Sequence, residues 1–277
     1  MINDIIIDNL IKRALEEDMP FGDITTDALI DEQSISRAEF IAKEAGVIAG
    51  LDIAGRVFEH LDGRVIFTKI VRDGDKVNKG DIIAEVEGQT RALLKGERTA
   101  LNILQRLSGI ASKTNEICSK VKDLSVSIAD TRKTIPGMRI LEKYAVKTGG
   151  GSNHRYSLSD GVLIKDNHIA AAGSIKKAVE AAKASVPHTI KIEVETETIN
   201  QVQEALVAGA DIIMLDNMNE EKMREAVKLI NKRALVEASG NVSLDNVRQV
   251  ALTGVDIISI GTLTHSVKAL DISMKIR

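Results

Sequence analysis

From residue 126 onward, short apolar segments alternate with amphipathic ones, and this alternation narrows the possible folds more than any other feature of the chain. The apolar segments are VSIAD (126–130), VLIK (162–165), IKIEVE (190–195), DIIMLD (211–216), LVEAS (235–239) and DIISI (256–260). Apolar residues at helical spacing fill 174–184, 199–208, 219–231 and 243–252 between them. Strands apolar on both faces, each followed by a helix, make a parallel sheet. The number of repeats favours a closed barrel over an open sheet, with one more short strand expected near 149–151. A dinucleotide-binding sheet is disfavoured, because no G-x-G-x-x-G follows the first strand.

The first 110 residues follow another pattern. Ile5, Ile6, Leu10, Ile11, Ala14 and Leu15 predict a helix over 4–17 that ends near Pro20-Phe21-Gly22. Residues 35–88 read as strands around one short helix at 54–61, a small α+β domain. Within it DGDKVNKGDIIAEVEG has the look of a lipoyl-type hairpin, but no lysine sits in a Met-Lys-Met-like turn. Turn chemistry explains its glycines, and it is read as scaffold. A long helix is expected over 97–121, weakened by Gly109, which puts Arg98 in its first turn. The division expected is an N-terminal α+β domain over 1–110, a barrel over 111–265, and a final segment, 266–277.

Composition removes whole classes of partner. Aromatic residues make up 2% of the chain, with no Trp, and the net charge is −3. Stacking platforms and a broad cationic face are both lacking, so nucleic acid is not an expected ligand. The single Cys118 cannot form an intrachain disulfide or a thiolate metal site, and no apolar run approaches a membrane span. A cytoplasmic chain with no export or anchoring signal is expected.

In βα barrels the working groups stand at the carboxyl ends of the strands. Here those ends read Thr131-Arg132-Lys133, Lys165-Asp166-Asn167-His168, Glu195, Asp216-Asn217, Ser239-Gly240-Asn241 and Gly261-Thr262. Between the first two strands lies a basic segment. Its Arg139, Lys143 and Lys147 recur every four residues and are read as a wet helix face, whereas Arg132, Lys133, His154 and Arg155 flank that helix where the chain returns to the rim. Such a cluster in a net-negative chain points to a small, highly anionic ligand. Glu193 and Glu195, two apart on one strand, share a face with Asp216 near them. Burying these carboxylates needs magnesium, or an ion-pair network with Lys133 and Lys165. Glycines in 239–241 and 260–262 let backbone N–H groups approach a phosphate.

The strings ERTALNILQRLSGIAS, DTRKTIPGMRILEKYAVKTGGGSNHR, LIKDNH, EVE, IMLDN, EASGN and SIGTLTHSVKALDIS resemble the quinolinate phosphoribosyltransferase family, in that family's order and over most of the chain. EEDMPFGDITT at 16–26 is similar to its N-terminal region. The resemblance implies an N-terminal α+β sandwich with an atypical seven-stranded α/β barrel, and a C-terminal segment that returns to the first domain. It also implies a homodimer with shared active sites. The implied reaction transfers phosphoribose from phosphoribosyl pyrophosphate to quinolinate with decarboxylation, giving nicotinate mononucleotide, diphosphate and carbon dioxide for NAD biosynthesis.

By the same resemblance, Arg98 is the arginine donated across the dimer. Arg132, Lys133, His154, Arg155 and Lys165 form the positive pocket, with Lys133, Glu195 and Asp216 as the catalytic set. Glu195 and Asp216 lie near the ribose and reach Mg2+ through the diphosphate. Ser239, Gly240, Asn241, Ile260, Gly261, Thr262 and His265 belong to the phosphate loops, with Asn241 standing where many relatives carry Gly. Three other readings compete: a paralogous barrel of molybdenum-transport loci, a Schiff-base aldolase using Lys165, and a non-catalytic phosphosugar-binding regulator.

Overall fold

Asn3 caps the first helix by accepting from the Ile5 amide, and α1 (Asp4–Asp18) buries Ile7, Ile11 and Leu15 along one stripe. The computed structural model describes residues 3–277. After α2 (Ile24–Leu29) come β1 (Ile35–Ala42), β2 (Gly46–Val47), α3 (Leu51–Leu61), β3 (Ile66–Lys69), β4 (Lys76–Val77), β5 (Ile82–Gln89) and α4 (Thr90–Lys120). β1 and β3 flank β5 antiparallel. Phe40, Phe58 and Phe67 pack with ring centroids 5.6 to 6.2 Å apart and form the aromatic part of this core.

Two expectations change here. The lipoyl-like segment is not a hairpin, since β4 pairs with β2 while β5 pairs with β1 and β3. The long helix starts at Thr90 rather than 97. Apolar Ala92 and Leu93 continue the buried stripe upstream, and Gly96 is tolerated because it lies against the ring of Phe58. Arg98 is therefore interior to α4, and the interaction with a helix N-terminus assumed for it does not apply.

The parallel part consists of β6 (Ser127–Ala129), β7 (Val162–Ile164), β8 (Ile192–Thr196), β9 (Ile212–Asp216), β10 (Leu235–Ser239) and β11 (Ile257–Ser259), in the order β6-β11-β10-β9-β8-β7. The seventh strand is reduced to a single parallel bridge between Ala129 and Ser152. Among the described residues the ladder does not close between Ser152 and β7. The intervening chain turns on itself instead: the Asp160 carboxylate accepts from the amides of Tyr156 and Ser157. Helices α6 (Asp166–Ala172), α7 (Ile175–Ser185), α8 (Ile199–Ala208), α9 (Glu220–Ile230) and α10 (Val247–Ala251) follow successive strands. Ser174, Thr198 and Asn219 cap α7, α8 and α9 by accepting from amides three residues on.

The chain groups into two compact units. One comprises the residues up to 115 together with 135–150 and 266–277, and the other comprises 116–134 and 151–265. This departs from the expected division, because α5 (Arg139–Thr148) joins the first unit. The wet face expected for α5 is also absent at its centre. Lys147 is exposed, but Lys143 is fully buried, and so is Glu142, which accepts from Arg106 Nε at 2.7 Å. After the short helix α11 (Thr262–His265), the last strand, β12 (Ile272–Ile276), pairs antiparallel with β1 and completes the N-terminal sheet.

Candidate active site

Parallel register sets the height of each functional side chain. Glu195, Met214 and Glu237 stand in one row across β8, β9 and β10, and Asp216, Ser239 and Ser259 form the next row across β9, β10 and β11. Side chains two apart on a strand share a face, so Glu193 with Glu195 and Glu237 with Ser239 all project inward. Above these rows opens a cavity of about 710 Å³, lined at every strand end.

At the end of β6, Asp130 is fully buried. It accepts from Asn153 Nδ2 at 2.6 Å and from the His154 amide at 2.9 Å, which fixes the segment carrying His154 and Arg155 to the strand. Arg155 donates from Nη1 to the Gly161 carbonyl at 2.7 Å. Burial and the nearby charge of Arg132 push its guanidinium pKa downward, as expected of two cations held together for an anion. Lys133 is exposed, lines the cavity and has no ion-pair partner among the described residues. Its carbonyl accepts from Thr264 Oγ1 at 2.7 Å, tying the β6 end to α11.

Lys165, just before α6, donates from Nζ to Glu195 Oε2 at 2.6 Å. Burial, and then the charge of Glu195, raise the Asp216 carboxyl above its ordinary pKa. Asn217 donates from Nδ2 to Asp216 Oδ2 at 2.7 Å and accepts at Oδ1 from Asn241 Nδ2 at 3.1 Å. Gly240 between them has φ +92°, and a Cβ there would collide with Asn217. At Gly261 a Cβ would lie 2.9 Å from Lys133 Cδ. Position 240 thus needs glycine for its backbone and for close approach, the property required of a backbone phosphate cradle, whereas Gly261 is approached only by the side chains of Lys133 and His265.

Every residue expected in the site lines this cavity except Arg98: Arg132, Lys133, His154, Arg155, Lys165, Glu195 and Asp216 with the loop residues Ser239, Gly240, Asn241, Ile260, Gly261, Thr262 and His265. Arg98 is exposed on α4 without an ion-pair or hydrogen-bond partner among the described residues. Glu193 does not join Glu195 in one network. It pairs instead with His154 Nε2 at 3.0 Å, with Glu237 Oε1 3.6 Å from the same nitrogen. Glu237 was not anticipated as a site residue, although its place two residues before Ser239 carried the signal. Asp130 likewise escapes sequence reading as a positioning group.

An N-terminal antiparallel α+β unit, a parallel βα unit, and cations, carboxylates and glycine loops converging on the strand ends define an anion-handling α/β enzyme of the phosphoribosyltransferase type. The sequence description "Quinolinate phosphoribosyl transferase, N-terminal domain" matches residues 23–108, and the corresponding C-terminal domain matches 110–275. The chain belongs to the quinolinate phosphoribosyltransferase family. It is 47% identical over 275 residues to the probable nicotinate-nucleotide pyrophosphorylase (carboxylating) of Bacillus subtilis, covering 99% of this chain and 95% of that one. It is 44% identical to a mitochondrial quinolinate phosphoribosyltransferase (decarboxylating) of Nicotiana tabacum, covering 96% and 81%. The crystal structure of NadC from Streptococcus pyogenes superposes with a TM-score of 0.97 at 44% identity, covering 100% and 98%.

Proposed function

We infer that this chain joins quinolinate to phosphoribosyl pyrophosphate and releases diphosphate and carbon dioxide, leaving nicotinate mononucleotide. The observation that carries the reading is one cavity whose lining combines arginines and lysines, carboxylates and glycine loops. Arg132, Arg155 and His154 line it together with Lys165, Glu195, Asp216 and the glycine loops. The arginines hold the pyridine dicarboxylate, which orients its ring nitrogen toward the anomeric carbon and removes much of the entropic cost of their encounter. Lys133, unpaired at the rim, receives charge that develops on the departing diphosphate. Glu195 and Asp216 flank the cationic ribosyl group, with Lys165 holding Glu195 in place. Once the ring nitrogen is quaternary, its charge stabilises the carbanion left at carbon 2 as carbon dioxide departs.

Magnesium suits the pair of Glu195 and Asp216, since two carboxylates offer hard oxygen donors and the charge of one already raises the other. Glu195 and Asp216 would hold it through the bound diphosphate, where it supplies neutralising charge. The working form is a homodimer in which Arg98 of each copy completes the other copy's site. Its exposure without a partner and the family resemblance support that assignment. No helix among the described residues is long and apolar enough to cross a membrane. The lone Cys118 fits a reducing compartment, the cytoplasm.

The test is to incubate the protein with quinolinate, phosphoribosyl pyrophosphate and magnesium. Nicotinate mononucleotide and carbon dioxide should form in equal amounts, and only with all three present. Diphosphate release without nucleotide, or nucleotide without carbon dioxide, contradicts the assignment.

A further inference from the structure

Two lysines line the cavity, and they are held in different ways. Lys165 is fixed by its charge, through Nζ and Glu195 Oε2 at 2.6 Å. Lys133 pairs with no carboxylate among the described residues. A carboxylate would order this long, flexible side chain, but it would also neutralise the charge that the departing diphosphate needs. Something other than an ion pair has to hold the lysine in place.

The turn after β11 does so at two points. Ile260 donates its amide to the Ala129 carbonyl at 2.9 Å, which docks that turn against the end of β6. Thr264 is fully buried, and its Oγ1 donates to the Lys133 carbonyl at 2.7 Å. The Gly261 carbonyl lies farther from the same oxygen, at 3.3 Å, so the single hydroxyl proton goes to Lys133. The lysine stem then passes over Gly261, where a Cβ would lie 2.9 Å from Lys133 Cδ and 3.2 Å from the ring of His265. Gly261 is outside the left-handed region, so its backbone would accept alanine without strain. At such a position alanine is the more stable choice, because it restricts the unfolded chain, unless the space is taken. The nearest atoms around that space belong to the side chains of Lys133 and His265, not to backbone. What the missing side chain makes room for is the lysine stem.

We propose that Gly261 and Thr264 are positioning residues for Lys133. The Thr264 hydroxyl fixes its carbonyl and the bare Cα of Gly261 seats its stem, which orders the ammonium without neutralising it. The proposal rests on the assignment of Lys133 to the diphosphate given above. It gives Gly261 a role exerted through Lys133, separate from any approach of a phosphate to its own backbone.

The test is a double-mutant cycle on the binding of diphosphate in the presence of magnesium. Titration calorimetry reads Kd for the wild-type chain, Gly261→Ala, Lys133→Ala and the double variant. An alanine Cβ at 261 meets only movable side chains, so Gly261→Ala should fold as the wild type does while the lysine stem swings aside. Its Kd should rise about 10-fold in the wild-type background and by less than about twofold once Lys133 is alanine, because no stem is then left to displace. Equal losses in both backgrounds would mean that the methyl group meets the ligand itself. No loss in the wild-type background would mean that the stem is not seated on Gly261. Either result overturns the proposal and leaves the reaction standing. Lys133→Ala with the wild-type Kd, or a wild-type chain that binds no diphosphate, would instead remove the assignment of Lys133 and the proposal with it. If Gly261→Ala fails to fold, Thr264→Val goes through the same cycle with the same expectations. Thr264→Ser, which keeps the hydroxyl, should bind within about twofold of the wild type, and binding as weak as that of Thr264→Val overturns the proposal.

Discussion

Asn217 joins two groups assigned to the diphosphate, because one side-chain amide holds the Asp216 carboxylate and accepts from Asn241 across the loop. Gly240 makes this contact possible. Gly240→Ala adds a Cβ at a positive φ, which costs about 1–2 kcal/mol in backbone strain alone, and forces Asn217 away. KM for phosphoribosyl pyrophosphate should rise more than KM for quinolinate, a comparison that steady-state kinetics reads directly. Glu195→Ala and Asp216→Ala should lower kcat by about 10²- to 10³-fold and alter the magnesium response, with quinolinate affinity within about threefold of wild type. Loss of quinolinate binding with unchanged magnesium dependence would mean that the quinolinate and diphosphate roles are assigned to the wrong residues. At this scale the sequence reveals the polar strand ends well, because a charge at the end of an apolar run is conspicuous. Glu237 escapes because it lies inside such a run, at LVEAS, where a lone carboxylate looks like an interruption. Only the parity shared with Ser239 exposes it.

The strands of the parallel sheet are legible because both faces are apolar, and the helices between them because their caps are explicit at Ser174, Thr198 and Asn219. The start of α4 is not. β5 runs into α4 without a turn residue, Gln89 followed directly by Thr90, so no punctuation marks the boundary. Lys143 misleads for another reason: its spacing with Arg139 and Lys147 is that of a solvated face, and only the packing of α5 in the N-terminal unit shows that its middle is covered. The pairing of β12 with β1 joins residues more than two hundred apart, as at Ala38 with Ile276, and local patterning carries no trace of it. Truncation after Leu270 would strip this strand, leave β1 as an open edge and remove the buried side chain of Ile272. Denaturant unfolding should show a loss of about 2–5 kcal/mol, or the chain should aggregate on expression. Unchanged stability would mean that the N-terminal sheet does not depend on its last strand.

For the whole molecule, the dimer is the part of the account that depends on a second copy. Arg98→Ala should fold normally and be inactive, as should Lys133→Ala. Mixed under conditions where native mass spectrometry confirms subunit exchange, they should regain about a quarter of wild-type activity. Half the dimers are then mixed, and each of these has one intact site. No recovery in confirmed heterodimers would return Arg98 to its own subunit or remove it from the site.

The central claim, that the cavity is built for two adjacent carboxylates, is tested most directly by comparing kcat/KM for quinolinate with that for nicotinate under identical conditions. Nicotinate lacks the 2-carboxylate and leaves the half-buried guanidinium groups of Arg132 and Arg155 without that partner, so its kcat/KM should be lower by at least about 10⁴-fold. Comparable values for the two acids would contradict the account.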